Sequence, residues 1–136
     1  MKRVFVDTGG FLGLLVVDDV SHRRARELFL QANVERWQLV TTNAVVFETY
    51  GVLLIRSRDK RRSAMTFLDL VAAGACRVER VRRADEDDAV SILRQHKDKT
   101  YSFCDALSFA VMERLVVTEA IAFDRHFREY GRFTVL

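Results

Sequence analysis

Arg3-Val4-Phe5-Val6-Asp7 is a short, apolar, β-branched run stopped by an acid. It reads as a buried strand, because four residues are too few for an amphipathic helix and flank no polar face. Gly9-Gly10 then lets the chain turn into a helix from about Phe11 to Val17. The same alternation continues outward. Ser21 suits the N-cap of a helix with Ala25, Leu28, Phe29 and Ala32 on one face. Trp37 to Thr41 reads as a strand, and Thr42 or Asn43 caps a helix carrying Val46, Phe47, Tyr50, Leu53 and Leu54. Asp59 or Ser63 starts the next helix, with Phe67, Leu68, Val71 and Ala72 inward and Gly74 as its stop. Cys76 to Val81 is a strand. Ala84 to about His96 is a helix whose acidic start, Asp85-Glu86-Asp87-Asp88, suits the helix dipole. Ser102 caps a helix with Phe103, Leu107, Ala110, Val111 and Leu115 along it. Ala120 to Phe123 is a strand ending at Asp124, and Phe133 to Leu136 is a last short one.

Strands separated by one helix or a helix pair specify an α/β sandwich around a mainly parallel sheet. A length of 136 residues fits one domain spanning the chain. In such a sheet the loops at the C-terminal strand ends carry the chemistry.

Composition narrows the class. Apolar residues make up 49% and charged residues 30%, which excludes a disordered or fibrous chain. A net charge of +3 permits a polyanionic partner without requiring one. Cys76 and Cys104 have no CxxC or Cys/His spacing, so neither a disulfide scaffold nor a structural zinc is expected. The apolar stretch Gly9 to Val17 is far too short to span a membrane and ends in Asp18-Asp19 without a cleavage site, so the expected location is cytoplasmic.

Four acids stand out by position. Asp7 and Asp124 follow apolar strands, Asp105 lies in the first turn of an apolar helix, and Glu48 lies between Phe47 and Tyr50 on a helix built for packing. Singly, each reads as a cap, a turn residue or a solvated helix position. Together they converge on one crevice, where their repulsion requires a cation between them. Carboxylate oxygens without a histidine or cysteine pair favour hard ions, Mg²⁺ or Mn²⁺, over zinc.

Four segments carry a family resemblance. They are Asp7-Thr8; Thr42-Asn43-Ala44-Val45-Val46-Phe47-Glu48-Thr49; Ser102-Phe103-Cys104-Asp105-Ala106-Leu107-Ser108-Phe109; and Ala122-Phe123-Asp124-Arg125-His126-Phe127. In this order they resemble the motifs of PIN-domain nucleases, most closely the VapC-like toxins of prokaryotic toxin–antitoxin pairs. The resemblance covers nearly the whole chain. It implies a single PIN-like domain over residues 1–136, a three-layer α/β/α sandwich, and a Mg²⁺- or Mn²⁺-dependent endoribonuclease using one or two ions. Asp7, Glu48, Asp105 and Asp124 match the family's acidic quartet, Thr8 its small polar neighbour and Ser102 the serine of the third motif. The resemblance also implies an RNA substrate, a homodimer and a cognate antitoxin. Gly9-Gly10 replaces bulkier residues, which would loosen the loop beside Asp7, and Cys104 stands where threonine is frequent.

The expected reaction is phosphodiester hydrolysis by water, leaving a 5′-phosphate and a 3′-hydroxyl. Arg56, Arg58, Lys60, Arg61 and Arg62 are candidate backbone contacts for RNA; the bland alternative is a solvated loop. His126 reads as a loop stabiliser beside Asp124. Two rival functions remain: a PIN-type nuclease of RNA maturation without an antitoxin, and a non-catalytic α/β interaction module that binds a regulatory ion.

Overall fold

The computed structural model describes all residues from Met1 to Leu136. In chain order the elements are β1 (Arg3–Val6), α1 (Thr8–Leu15), α2 (His22–Val34), β2 (Gln38–Thr42), α3 (Asn43–Arg56) and α4 (Lys60–Ala72). They continue with β3 (Arg77–Glu79), α5 (Arg83–Gln95), α6 (Phe103–Leu115), β4 (Glu119–Ile121), α7 (His126–Tyr130) and β5 (Thr134–Val135). The five strands form one sheet in the order β3-β2-β1-β4-β5. Every neighbouring pair is parallel, which sharpens the expected mainly parallel sheet.

The order explains where a site can form. The chain starts in the middle of the sheet, builds outward through β2 and β3, then returns to lay β4 on the other side of β1. Right-handed crossovers therefore put α1 to α4 on one face and α5 to α7 on the other. The reversal opens a crevice at the C-terminal ends of β1 and β4. Two bonds hold that edge. The Asp7 N–H donates to the Ile121 carbonyl at 3.1 Å, and the Thr41 hydroxyl donates to the Val6 carbonyl at 2.8 Å.

Val4, Phe5 and Val6 are wholly buried, as the opening run requires. Each such side chain contributes about 1.5–3 kcal/mol on burial. Phe11 packs edge-on against Phe67 at 5.0 Å, joining α1 to α4. Across the sheet, Phe109 stacks on Tyr130 at 4.2 Å and meets Phe127 edge-on at 4.9 Å.

Several boundaries differ from the sequence expectation. The first helix begins at Thr8 and ends at Leu15, so Gly9 and Gly10 lie inside it, not in a loop before it. Gly10 is there because α1 lies against β4: a Cβ at this position would stand 2.9 Å from the Ile121 carbonyl oxygen. Gly10 thus lets α1 close on β4 beside Asp7, where a looser loop was expected, while a side chain at Gly9 would make only ordinary contacts. β4 ends at Ile121, leaving Ala122 and Phe123 as a short link to Asp124. β3 is three residues, shorter than the expected Cys76 to Val81. The five-residue helix α7 was not foreseen. Gly74, with φ of 85°, does stop α4. No helix is long and apolar enough to cross a membrane.

Candidate active site

Asp7 is the N-cap of α1, only 3% exposed at the end of β1. Its carboxyl pKa is pushed well above the ordinary value, first by burial and then by the charges of Asp124, Asp105 and Glu48; the Thr8 main chain works in the opposite direction. The Thr8 hydroxyl itself is buried without a hydrogen-bond partner. The charges of all three other acids therefore reach Asp7, although they come from α3, α6 and the link after β4.

Asp105 is placed by a reciprocal cap. The Ser102 hydroxyl accepts from the Asp105 N–H at 3.0 Å, and the Ser102 N–H donates to Asp105 Oδ2 at 3.0 Å. This satisfies two donors that a helix start leaves open and fixes the acid in the first turn. At the start of α3, Thr42 satisfies one such donor by accepting from the Val45 N–H at 3.1 Å, and Asn43 Oδ1 accepts from the Val81 N–H at 2.9 Å. Glu48 rides on that helix, one turn in, and is exposed. Cys104 lies against it. Burial, then the Glu48, Asp7 and Asp105 charges and a hydrogen bond to Glu48, raise the thiol pKa far above its usual range, so the thiol stays protonated. Asp124 stands exposed at the rim. Partial desolvation and then the Asp105 charge raise its pKa, against the pull of the His126 N–H.

The structure adds a residue that the sequence reading set aside. His126 Nδ1 lies 2.7 Å from Asp105 Oδ2, and its main-chain N–H donates to Asp124 Oδ1 at 2.9 Å. Ligand atoms of Asp105, Asp124 and His126 lie within 4.8 Å of one another. The available signal was the two-residue spacing from Asp124, which α7 turns inward.

The arginine cluster is not brought to these acids. Arg56 pairs with Asp19 at 2.7 Å and Arg58 with Asp18 at 3.4 Å, on the link between α1 and α2. Lys60, Arg61 and Arg62 are exposed at the start of α4. Along α3, Arg56 is about 12 Å from Glu48 at 1.5 Å per residue.

No lysine or arginine forms an ion pair with Asp7, Glu48, Asp105 or Asp124. A buried carboxylate among three others, lacking a cationic side chain, is costly unless a cation joins it. The oxygen-rich donor set fits a hard divalent ion.

Comparisons with known proteins identify the family and the fold. The family described as the PIN domain matches residues 4–133. The 23S rRNA-specific endonuclease VapC20 of Mycobacterium tuberculosis, from two strains, is 33% identical over 128 residues, covering 94% of each chain. The crystal structure of that organism's VapC20, a sarcin-ricin loop cleaving toxin, superposes with a TM-score of 0.86 at 32% identity over 95% of both chains. VapBC2 from Rickettsia felis, bound to a DNA fragment from its promoter, reaches a TM-score of 0.68 at 12% identity, over 98% of this chain and 97% of that one. The last likeness concerns the fold alone.

Proposed function

The chain belongs to the PIN domain family, and from that premise we propose that it is a Mg²⁺- or Mn²⁺-dependent endoribonuclease, the toxin of a toxin–antitoxin pair. The observation that carries this reading is that the charges of Asp124, Asp105 and Glu48 all bear on the buried Asp7, with no lysine or arginine paired to any of the four. Asp7 and Asp105 would hold the principal ion with Asp124 beside them, and Glu48 with Asp105 a second. A bound divalent ion would supply acidity to a water molecule and offset charge on the phosphate.

The remaining work falls to the chain's own groups. Ser102 fixes Asp105 at the start of α6, and Thr42 fixes the helix that carries Glu48. Glu48, exposed on α3, would either join Asp105 on that second ion or orient the attacking water. Attack by water leaves a 5′-phosphate and a 3′-hydroxyl. A histidine-driven route through the 2′-hydroxyl would need two imidazoles at the site, and His126 alone is grouped with the acids.

The whole chain is taken as one nuclease domain acting in the cytoplasm, as a homodimer held inactive by a cognate antitoxin. Because the 33% identical relative acts on 23S rRNA, the sarcin-ricin loop is the first substrate to try. The test uses purified chain with ribosomes and Mn²⁺, with and without EDTA, and sequencing of RNA ends. Discrete Mn²⁺-dependent 5′-phosphate ends that vanish in Asp7→Asn support the proposal. Equal cleavage by Asp7→Asn would falsify the site.

A further inference from the structure

His126 is the one basic side chain that reaches the acid cluster. A carboxylate only accepts, so the proton in the 2.7 Å bond between His126 and Asp105 belongs to Nδ1. Asp105 Oδ2 also accepts the Ser102 N–H at 3.0 Å. Both sites on Oδ2 are then engaged, while Oδ1 accepts none of the side-chain bonds formed around it. Through its main chain the same residue holds Asp124 Oδ1 at 2.9 Å. One residue thus orients two carboxylates carried by different elements.

The imidazole is itself held. Tyr101 meets it edge-on, with ring centres 5.5 Å apart and planes at 82°. Tyr101 is 7% exposed and packs against Phe109 at 5.3 Å and Tyr130 at 6.2 Å. A ring wedged in this way keeps Nδ1 on Asp105. Without the bond, only the Ser102 N–H would restrain the Asp105 carboxylate about its broad terminal torsion.

We infer that His126 is a positioning residue that locks Asp105 with Oδ1 toward the metal, an inference that rests on the metal site proposed above. Hydrogen-bonding partners that orient a ligating group are worth about 10–100-fold in metal affinity or activity.

The experiment measures Mn²⁺ binding to the full chain by electron paramagnetic resonance, beside RNA cleavage kinetics, with folding checked by circular dichroism. Three variants separate the roles of the ring atoms. His126→Ala removes the bond, His126→Asn places an N–H near the Nδ1 position, and His126→Gln places it near Nε2. The expected result is about 10–100-fold weaker Mn²⁺ binding in His126→Ala. Affinity should recover in His126→Asn but not in His126→Gln, with kcat falling and KM for RNA little changed. Unchanged Mn²⁺ affinity in His126→Ala, equal weakening in the Asn and Gln variants, or a rise in KM alone overturns the inference while leaving the metal site standing. A wild-type chain that binds no Mn²⁺ overturns the site itself.

Discussion

Asp85 and Asp105 occupy the same place in two successive helices, the third residue of the first turn, and both are buried. Each accepts the N–H of its own N-cap residue, Arg82 at 2.8 Å and Ser102 at 3.0 Å. Beyond that they part. Asp85 takes the Arg114 guanidinium on both oxygens at 2.9 Å, so neither oxygen is left without a donor. Arg114 also reaches Glu79 at 3.2 Å and so ties α6 to α5 and β3. Asp105 meets a histidine on one oxygen and three more acids around it. The same helix, α6, thus carries an acid left unneutralised at its start and an arginine that neutralises a neighbour's acid near its end. The Asp85 carboxylate is bonded and ion-paired on both oxygens; that of Asp105 is bonded on Oδ2 alone.

The largest effect that would break this contrast is at the unneutralised end. Asp7→Asn is expected to reduce cleavage to background. In EDTA it should raise the melting temperature, because it removes a buried charge from among its like. A variant that loses activity and also melts lower in EDTA would mean that Asp7 belongs to the structural class.

At the saturated end the signs reverse. Arg114→Met strands the Asp85 carboxylate, and urea unfolding should show a loss of about 3–5 kcal/mol, with cleavage per folded molecule retained. Adding Asp85→Asn to Arg114→Met should recover much of that loss, since the uncompensated charge is gone.

The pH response sharpens the same point. Burial alone would raise the Asp85 pKa, but the hydrogen bonds from Arg114 and Arg82 outweigh it and hold the carboxyl below its ordinary value. A depressed folded pKa gives stability that is complete above the unfolded value of about 3.9 and is lost as pH falls through the folded one. Unfolding midpoints from pH 6 down to about 2 should therefore fall less steeply in Asp85→Asn than in the wild type.

The smallest expected effect concerns the third charged region. Replacing Lys60, Arg61 and Arg62 together by Gln should reduce the salt dependence of RNA binding by about 0.7 in log–log slope for each phosphate these side chains neutralise. An unchanged slope assigns them to the solvated surface. Arg56 and Arg58 already have partners in Asp19 and Asp18, so they offer less to RNA.

Much of this organisation was legible beforehand because it rests on local rules. The opening run, the Thr42 and Ser102 caps and the Gly74 stop depend on near neighbours alone, and each lies where it was read. Three of the acids were recognisable by their places at element ends and Glu48 by its place on a helix face, and the charges of the other three bear on Asp7. What escaped depends on distant chain. Gly9-Gly10 looked like a turn because nothing nearby reveals that Gly10 must pass within van der Waals distance of Ile121. At five residues, α7 is too short to show a helical period, so the inward turn of His126 could not be read. Arg114 gave no sign of its partners, since Asp85 lies 29 residues away and Glu79 lies 35.

The central place of β1 has a consequence for how such a protein is made. Its register with Val6 opposite Ile121 can form only after almost the whole chain has been synthesised, and the same pairing delivers Asp124 to Asp7. Domains fold as units during translation, and pairings this remote are late events. A nascent chain therefore carries Asp7, Glu48 and even Asp105 before Asp124 has joined them. Topology thus makes the acid cluster one of the last features of the fold to be completed.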